Sequence, residues 1–348
     1  MSKIGVIILA AGKGTRMKSE IPKVCFELAG KTLIQRVLNT SLELNPDLVA
    51  IVVGYKKEMV MNSLLSKKDS NGIIHFITQE NQLGTGDAVK SSRAIFKGYT
   101  GTLFVLCGDV PLLKKETLSD MLNTHLNTNA KCTILTMILK DPEKYGRIVR
   151  DKNGKIKEII EFKDGNDEIR KINEVNTGIY CFDCHELFKA LENIDNNNAQ
   201  AEYYLTDVIK FMYEAEQNIE FLVLDDISEA TGINSQTQLA ELEKEHYDKI
   251  RKHWMNNGVS IENPETVLIQ DDVLIENDVF LSANTKIIGN SFIGSGSYIG
   301  PNCVINNSNL NKGSFLEGMN VVCQFSNNKT KSNESEPLKL SWYQSKGV

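Results

Sequence analysis

The chain has 348 residues, 41% of them apolar, a formal charge of −6 and seven cysteines. At roughly 150 residues per domain this is about two domains, able to bury a core without disulfide staples. The acidic balance, with Lys and Arg scattered, excludes the basic footprint of a nucleic-acid binder. No apolar run reaches the roughly 18 residues needed to span a bilayer, so no membrane partner is expected. A cytoplasmic protein is expected, with its odd, irregularly spaced cysteines reduced.

The first apolar run, Ile4 to Ala11, is short and runs straight into Gly12-Lys13-Gly14, which suits a buried strand better than a secretory signal. Up to about residue 225, β-rich runs alternate with helical patterns. Strands are expected at Ile4–Leu9, Leu48–Val53, Ile73–Thr78 and Thr102–Leu106, and helices at Lys31–Leu44, Lys56–Leu65 and Asp87–Phe96. Such alternation builds a layered α/β domain on a mostly parallel sheet. Between Cys132 and Phe182 short strands dominate, and Asp151-Lys152-Asn153-Gly154 marks a hairpin turn between Arg147–Arg150 and Ile156–Glu161. An antiparallel lobe is expected there. Cys181-Phe182-Asp183-Cys184-His185 has the C-x-x-C-H spacing of haem attachment, but its first cysteine ends a strand-like run, Thr177–Phe182, and coincidence is the expectation.

A capping box of Ser235 and Gln238 opens a long helix, with Leu239, Leu242, His246, Ile250 and Trp254 on one stripe and Gly258 past its end. This connector, 235–258, follows a first domain over 1–234. The period then changes to six: Ile269, Ile275, Leu281, Ile287, Ile293, Ile299 and Ile305 stand in unbroken register. One inward aliphatic residue per hexad is the signature of a parallel β-helix, assigned to 259–322. The register is expected to end at Asn311, which at about eighteen residues per coil gives about two to three coils. The remainder, 323–348, with Ser326 to Asn333 at its start, is expected to be a polar tail.

The loop Leu9-Ala10-Ala11-Gly12-Lys13-Gly14-Thr15-Arg16-Met17 follows the first strand and holds two glycines and two cations. Glycines let backbone N–H groups approach an anion, and cations offset its charge. The Rossmann fingerprint fails because Met17 stands where a third glycine is needed, and the Walker loop fails for want of a later Gly-Lys-Ser/Thr. Lys23, after Pro22, can return toward the same phosphates or simply be solvated. Asp109, in Cys107-Gly108-Asp109-Val110-Pro111, ends a buried strand at the sheet edge where open α/β folds bind ligands, and a carboxylate there suits Mg²⁺.

Taken together and in order, these segments resemble the sugar-nucleotide pyrophosphorylases. In particular they resemble the uridylyltransferase domain of the bacterial bifunctional N-acetylglucosamine-1-phosphate uridylyltransferase/glucosamine-1-phosphate acetyltransferase, here with a shortened hexapeptide-repeat domain. The resemblance covers residues 4 to 234. It implies an α/β fold: a Rossmann-like nucleotidyltransferase domain with a mixed sheet, plus a short C-terminal left-handed parallel β-helix. It also implies that Leu9, Ala10, Ala11, Gly12, Lys13, Gly14 and Thr15 bind the nucleotide, with Gln79, Gly84 and Thr85 in the uracil segment. Cys107 and Gly108 would bind substrate and Asp109 would hold Mg²⁺ with Asn234, in Gly232-Ile233-Asn234. Asn234 without the resemblance reads as a turn or capping residue. Gly146, in Tyr145-Gly146-Arg147, would offer its backbone to the sugar, while Glu161 and Asn176 bind its hydroxyl or N-acetyl groups. Glu202 to Asp207 would line the same cleft. Two positions depart from the family, which usually carries histidine where this chain has Cys25-Phe26 and Asp87; Asp87 could alter nucleotide preference.

The reaction implied is attack of N-acetylglucosamine 1-phosphate on UTP, giving UDP-N-acetylglucosamine, a precursor of cell wall and lipopolysaccharide. Arg16 and Lys13 would face the pyrophosphate and Lys23 the phosphates in exchange, Arg16 and Lys23 being the catalytic cations. Acetyl transfer is not expected, because the hexads stop early, and a homotrimer through the β-helix is plausible. Three alternatives stand beside this: a pyrophosphorylase for another sugar 1-phosphate, a non-catalytic sugar-nucleotide-binding subunit, and an acyltransferase built on the hexads.

Overall fold

Leu48–Val53 reads Leu-Val-Ala-Ile-Val-Val, a run without a polar face, and such a strand belongs in a sheet covered on both sides. The structure, a computed structural model, describes residues 3–64, 72–325 and 339–340. It divides into two units, one of Met1–Phe26 with Thr32–Ser235 and one of Glu27–Lys31 with Gln236–Val348.

The elements up to the connector are, in chain order, β1 (Ile4–Ala10), a hairpin of β2 (Glu27–Leu28) and β3 (Lys31–Thr32), α1 (Leu33–Leu42), β4 (Leu48–Val53), α2 (Lys57–Leu64), β5 (Ile74–Thr78), α3 (Thr85–Ser91), β6 (Thr102–Cys107), α4 (Lys115–Asn127), β7 (Cys132–Ile138), β8 (Arg147–Arg150), β9 (Ile156–Ile160), the single turn α5 (Asp167–Arg170), β10 (Glu174–Asp183), α6 (Cys184–Ala190), α7 (Asp207–Glu214) and β11 (Ile219–Leu224). The main sheet runs β11-β7-β10-β6-β1-β4-β5, with β8 and β9 attached beside β10. Strands β5, β4, β1 and β6 are parallel, and β10 runs against both β6 and β7. The sheet is therefore mixed.

Side chains of β1 alternate between two cores. Val6 and Ile8 pack with Ile34, Leu38 and Phe104 on one face, and Ile7 packs with Val89, Leu187 and Met212 on the other. A capping box of Thr32 and Gln35 starts α1, and its apolar stripe covers the first face. The helix expected over Asp87–Phe96 stops at Ser91. The Ser91 and Ser92 hydroxyls there donate to the carbonyls of Ala88 and Val89, an alternative to the helical ladder. Helices α4, α6 and α7 carry no expectation from periodicity. In the C-x-x-C-H stretch, Cys181 and Cys184 lie in different cores, which agrees with a coincidental spacing.

The strand directions decide where function can sit. The carboxyl ends of β1, β4, β5, β6, β7 and β11 and the amino end of β10 share one edge of the sheet. The chain leaves β1 toward β4 on one side and reaches β6 on the other, so a crevice opens at the end of β1.

The second unit opens with α8 (Gln236–Asn256). Its buried residues are Leu239, Leu242, Tyr247 and Arg251, whereas the expected stripe passed through His246; Ile250 and Trp254 are partly buried against the β-helix core. The stripe shifts because Arg251 turns inward to donate to the Val267 carbonyl, while His246 pairs with Asp271.

Three parallel sheets follow: β12 (Ser260–Ile261), β15 (Phe280–Leu281), β18 (Tyr298–Ile299), β21 (Phe315–Leu316) and β23 (Lys339–Leu340); β13 (Leu268–Ile269), β16 (Lys286–Ile288), β19 (Val304–Asn306) and β22 (Val321–Cys323); and β14 (Leu274–Ile275), β17 (Phe292–Ile293) and β20 (Asn309–Leu310). All seven hexad residues are buried inside. The register does not end at Asn311. It slips by one residue after Ile305 and resumes at Leu310, Leu316 and Val322, all interior. The slip falls at Asn307, whose φ of 46° turns the corner one residue early. Three complete coils and two sides of a fourth result among the described residues. Of the polar tail expected over 323–348, Cys323 instead ends β22 and Phe325 packs against the β-helix core; residues 326–348 lie outside the described residues, apart from the backbone pairing of β23.

Candidate active site

After β1 the chain turns through Gly14, at φ 65°, into a short helical turn, Thr15–Met17. A side chain at Gly14 would come within 2.6 Å of the Lys23 Cβ, so the glycine serves both the turn and the approach of Lys23. The N–H groups of Gly12, Lys13 and Gly14 donate to nothing among the described residues. They face a cavity of about 520 Å³ lined by Leu9 to Arg16, Lys23, Gln79, Gly84, Thr85, Cys107, Asp109 and Asn234. Three amide donors and three cations at one crevice make an anion cradle.

The Lys23 ammonium donates to Asp109 Oδ2 and, at 3.0 Å, to Asn234 Oδ1. Arg16 donates to the same Asn234 oxygen at 2.7 Å. The Ile233 N–H donates to the Asp109 carbonyl at 3.0 Å, tying the two oxygen-bearing segments together. An aspartate and an amide oxygen thus converge on one positive charge, a donor set that fits a hard divalent cation. Among the described residues no group of three or more His, Cys, Asp or Glu could hold a metal ion, so the set suits only an ion that takes most ligands from water or substrate.

Cys107, at the end of β6, is pushed up to about 12 by burial and by the neighbouring Asp109 charge. It stays a neutral thiol and donates to the Gly178 carbonyl at 3.4 Å.

Gly146, Glu161 and Asn176 do not line this cavity; they cluster on the β8–β10 side. A Cβ at Gly146 would lie 3.4 Å from Glu161 Oε1, and the Asn176 N–H donates to the Gly146 carbonyl at 2.9 Å. Burial raises the Glu161 carboxyl, against the lowering effect of a hydrogen bond from the Thr206 hydroxyl. The register shift between Asn176 and Tyr180 re-aims Asn176, whose Oδ1 accepts from the Gly178 N–H and the Tyr180 hydroxyl. That leaves its NH₂ for a ligand.

Two expected residues are partly committed elsewhere. Gly108 is absent from the cavity lining: its N–H donates to the Leu9 carbonyl, and a side chain there would meet Ile34 and that carbonyl at 2.9 Å. It is a packing glycine. Thr85 lines the cavity, but its hydroxyl accepts from the Leu205 N–H.

Residues 5–258 match the family model described as nucleotidyl transferase. The chain belongs to that family. This nucleotidyl transferase is 41% identical over 272 residues to the "Bifunctional protein GlmU" of Listeria monocytogenes serotype 4a (strain HCC23), a match covering 78% of the chain and 58% of the relative. Against the protein of the same name from Lactobacillus gasseri it is 41% identical over 267 residues, 77% of the chain and 57% of the relative. The match thus spans less than two thirds of the length of these relatives.

Sequence reasoning missed four residues of the nucleotidyl transferase's site. Val24, Gln82 and Ala88 line the cavity, Gln82 from within the uracil segment between Gln79 and Gly84 where it was not singled out. Arg147 is only 2% exposed, and its guanidinium donates to the carbonyls of Pro142, Glu143, Tyr145 and Arg170. It pins the loop carrying Gly146 to the turn after Glu161, and its place beside Gly146 in the sequence was the available signal.

Proposed function

We propose that this nucleotidyl transferase is a Mg²⁺-dependent uridylyltransferase that makes UDP-N-acetylglucosamine and pyrophosphate from UTP and N-acetylglucosamine 1-phosphate. One observation carries the reading: Arg16, Lys23, Asp109 and Asn234 meet at a single point beside the free N–H groups of Gly12 to Gly14. Such a point holds a polyphosphate, and the Gly146–Glu161–Asn176 cluster offers polar groups to a sugar.

In this reading a sugar-phosphate oxygen attacks the α-phosphorus of UTP, the bond from that phosphorus to the bridging oxygen breaks, and pyrophosphate leaves with the electron pair. The attacking phosphate is already anionic, so no general base is needed. Catalysis is positioning and charge stabilisation. The Gly12–Gly14 amides with Lys13 and Arg16 hold the β- and γ-phosphates, and Lys23 stabilises the oxygens at the reacting phosphorus. Gln79 and Gly84 orient the base. Asp109 and Asn234 would hold Mg²⁺, which supplies charge neutralisation between the two anionic substrates. Glu161 and the Asn176 NH₂ fix the sugar.

The test is pyrophosphate release from UTP with Mg²⁺ and a panel of sugar 1-phosphates, repeated with acetyl-CoA and glucosamine 1-phosphate. Release with N-acetylglucosamine 1-phosphate above the others, and no acetylated product in the second assay, is the expected result. Preference for another sugar would reassign the substrate. Binding of UTP without product from any sugar would make the chain a sugar-nucleotide-binding subunit. A homotrimer through the β-helix is part of the proposal, and light scattering in solution decides it.

A further inference from the structure

The cavity contains a polar device that the reaction itself does not need. Gln79, just beyond β5, is 4% exposed, and its backbone N–H is anchored on the Val53 carbonyl at 2.8 Å. Its side-chain NH₂ has two hydrogens, and both are used inside the protein: one on the Gly84 carbonyl at 3.1 Å, the other on Asp87 Oδ2 at 2.7 Å. A carbonyl and a carboxylate only accept, so the amide can take just one orientation. Flipped, Oε1 would lie against two acceptor oxygens. Oε1 accepts no bond among the described residues, yet it is not one of the buried atoms without a partner. It therefore opens onto the cavity that Gln79 lines.

We infer that Asp87 is a specificity-determining positioning residue: it locks the Gln79 amide with its oxygen toward the base, so that the cavity selects a base carrying a hydrogen-bond donor at its edge. This inference rests on the uridylyltransferase reading for the identity of the ligand as a nucleotide. Uracil and thymine present N3–H to such an oxygen. Cytosine presents N3 as an acceptor, and two acceptors facing one another in a partly enclosed site leave both unsatisfied. The lock discriminates against cytidine nucleotides and is indifferent to the uracil methyl position. Asp87 sits on the first turn of α3, whose N-cap is Gly84 at φ 117°, so both acceptors belong to one rigid turn. Without the carboxylate a single carbonyl opposes the flip, and the amide can then offer its NH₂ to cytosine.

The experiment is calorimetric titration of the full chain, in Mg²⁺, with UTP, CTP and 3-methyluridine 5′-triphosphate, which lacks the N3 proton. Wild type is expected to bind UTP about ten-fold or more tighter than either of the others. In Asp87→Ala the UTP-to-CTP ratio should fall to within about three-fold, by weaker UTP and stronger CTP binding together. A loss of structure would weaken both nucleotides alike, and Asp87→Ser, which fills more of the space, repeats the measurement if Asp87→Ala folds poorly. A ratio in Asp87→Ala equal to that of wild type overturns the lock, as does a wild type without preference for UTP. Pyrophosphate release on the same preparations separates the two ideas. Release with an unchanged ratio sinks the lock and leaves the uridylyltransferase reading; the expected ratios without release from any sugar 1-phosphate do the reverse.

Discussion

Lys23 holds the place between Asp109 and Asn234 that two oxygen ligands and a shared charge define, and neither partner is near it in the chain. Removing a cation or oxygen from such a cluster commonly lowers turnover by about 10²–10³. Lys23→Ala and Asp109→Ala are each expected to lose at least that much in steady-state pyrophosphate release, and wild-type release by either variant overturns the assignment. A second residue-scale expectation concerns pH. Burial, with Asp195 and Asp164 nearby, raises Asp207 to about 6 from an ordinary 3.8. The folded state therefore binds more protons than the unfolded chain between about pH 4 and 6, and stability falls as pH rises through that window. Above it the folded state carries the full penalty of an ionised, half-buried carboxylate. Asp207→Asn should raise the melting temperature relative to wild type at pH 7.5, with the gain shrinking toward pH 4.5. An equal gain at both values would mean that the carboxyl does not titrate this way.

At the scale of elements, the loop between β7 and β8 keeps its shape through Arg147, a buried fork whose guanidinium donates to four backbone carbonyls. Lysine keeps the charge but not the planar fork. Arg147→Lys is expected to raise KM for the sugar 1-phosphate by about ten-fold, from loss of one or two hydrogen bonds, while KM for UTP stays near wild type. Equal rises in both would show that the loop does not serve the acceptor alone. In the β-helix, Ile293 is fully buried between Ile275 and Leu310. Ile293→Ala should cost about 2–5 kcal/mol. Trp254 belongs to the second unit, and the sequence has no tryptophan between residues 1 and 235, so urea unfolding followed by tryptophan fluorescence reads that loss directly.

For the whole molecule, the cavity at the end of β1 lies within the first unit and the aliphatic stack within the second. A ligand that binds only the folded first unit stabilises it by about 2.7 kcal/mol at a hundred times its Kd. UTP with Mg²⁺ should therefore raise the calorimetric transition of the first unit and leave the tryptophan-detected transition of the second in place. A shift of both transitions together would mean that the units unfold as one. The hairpin residues Glu27–Lys31 group with the second unit although they lie among the first unit's elements in sequence, and Lys31 pairs with Asp272 at 2.6 Å. No period or motif in that stretch announced this, because a short hairpin carries no face long enough to show where it docks.

Much of the architecture was legible in local pattern. Apolar runs bounded by glycine became the parallel strands, and the sixfold period became the coils, because both patterns record burial, which repeats along the chain. The segment Leu9 to Met17, which leaves the end of β1 with its glycines and cations, was readable for the same local reason. The tertiary structure alone decided the rest. Strand order brought Lys23 to Asp109 and Asn234, the shifted register of β10 aimed Asn176, and an early turn at Asn307 carried the coils past their expected end. It also turned the Gln79 amide with Asp87, a residue legible beforehand only as a departure from a family pattern. Contacts between distant side chains depend on how the chain crosses the sheet, and no local period encodes that crossing.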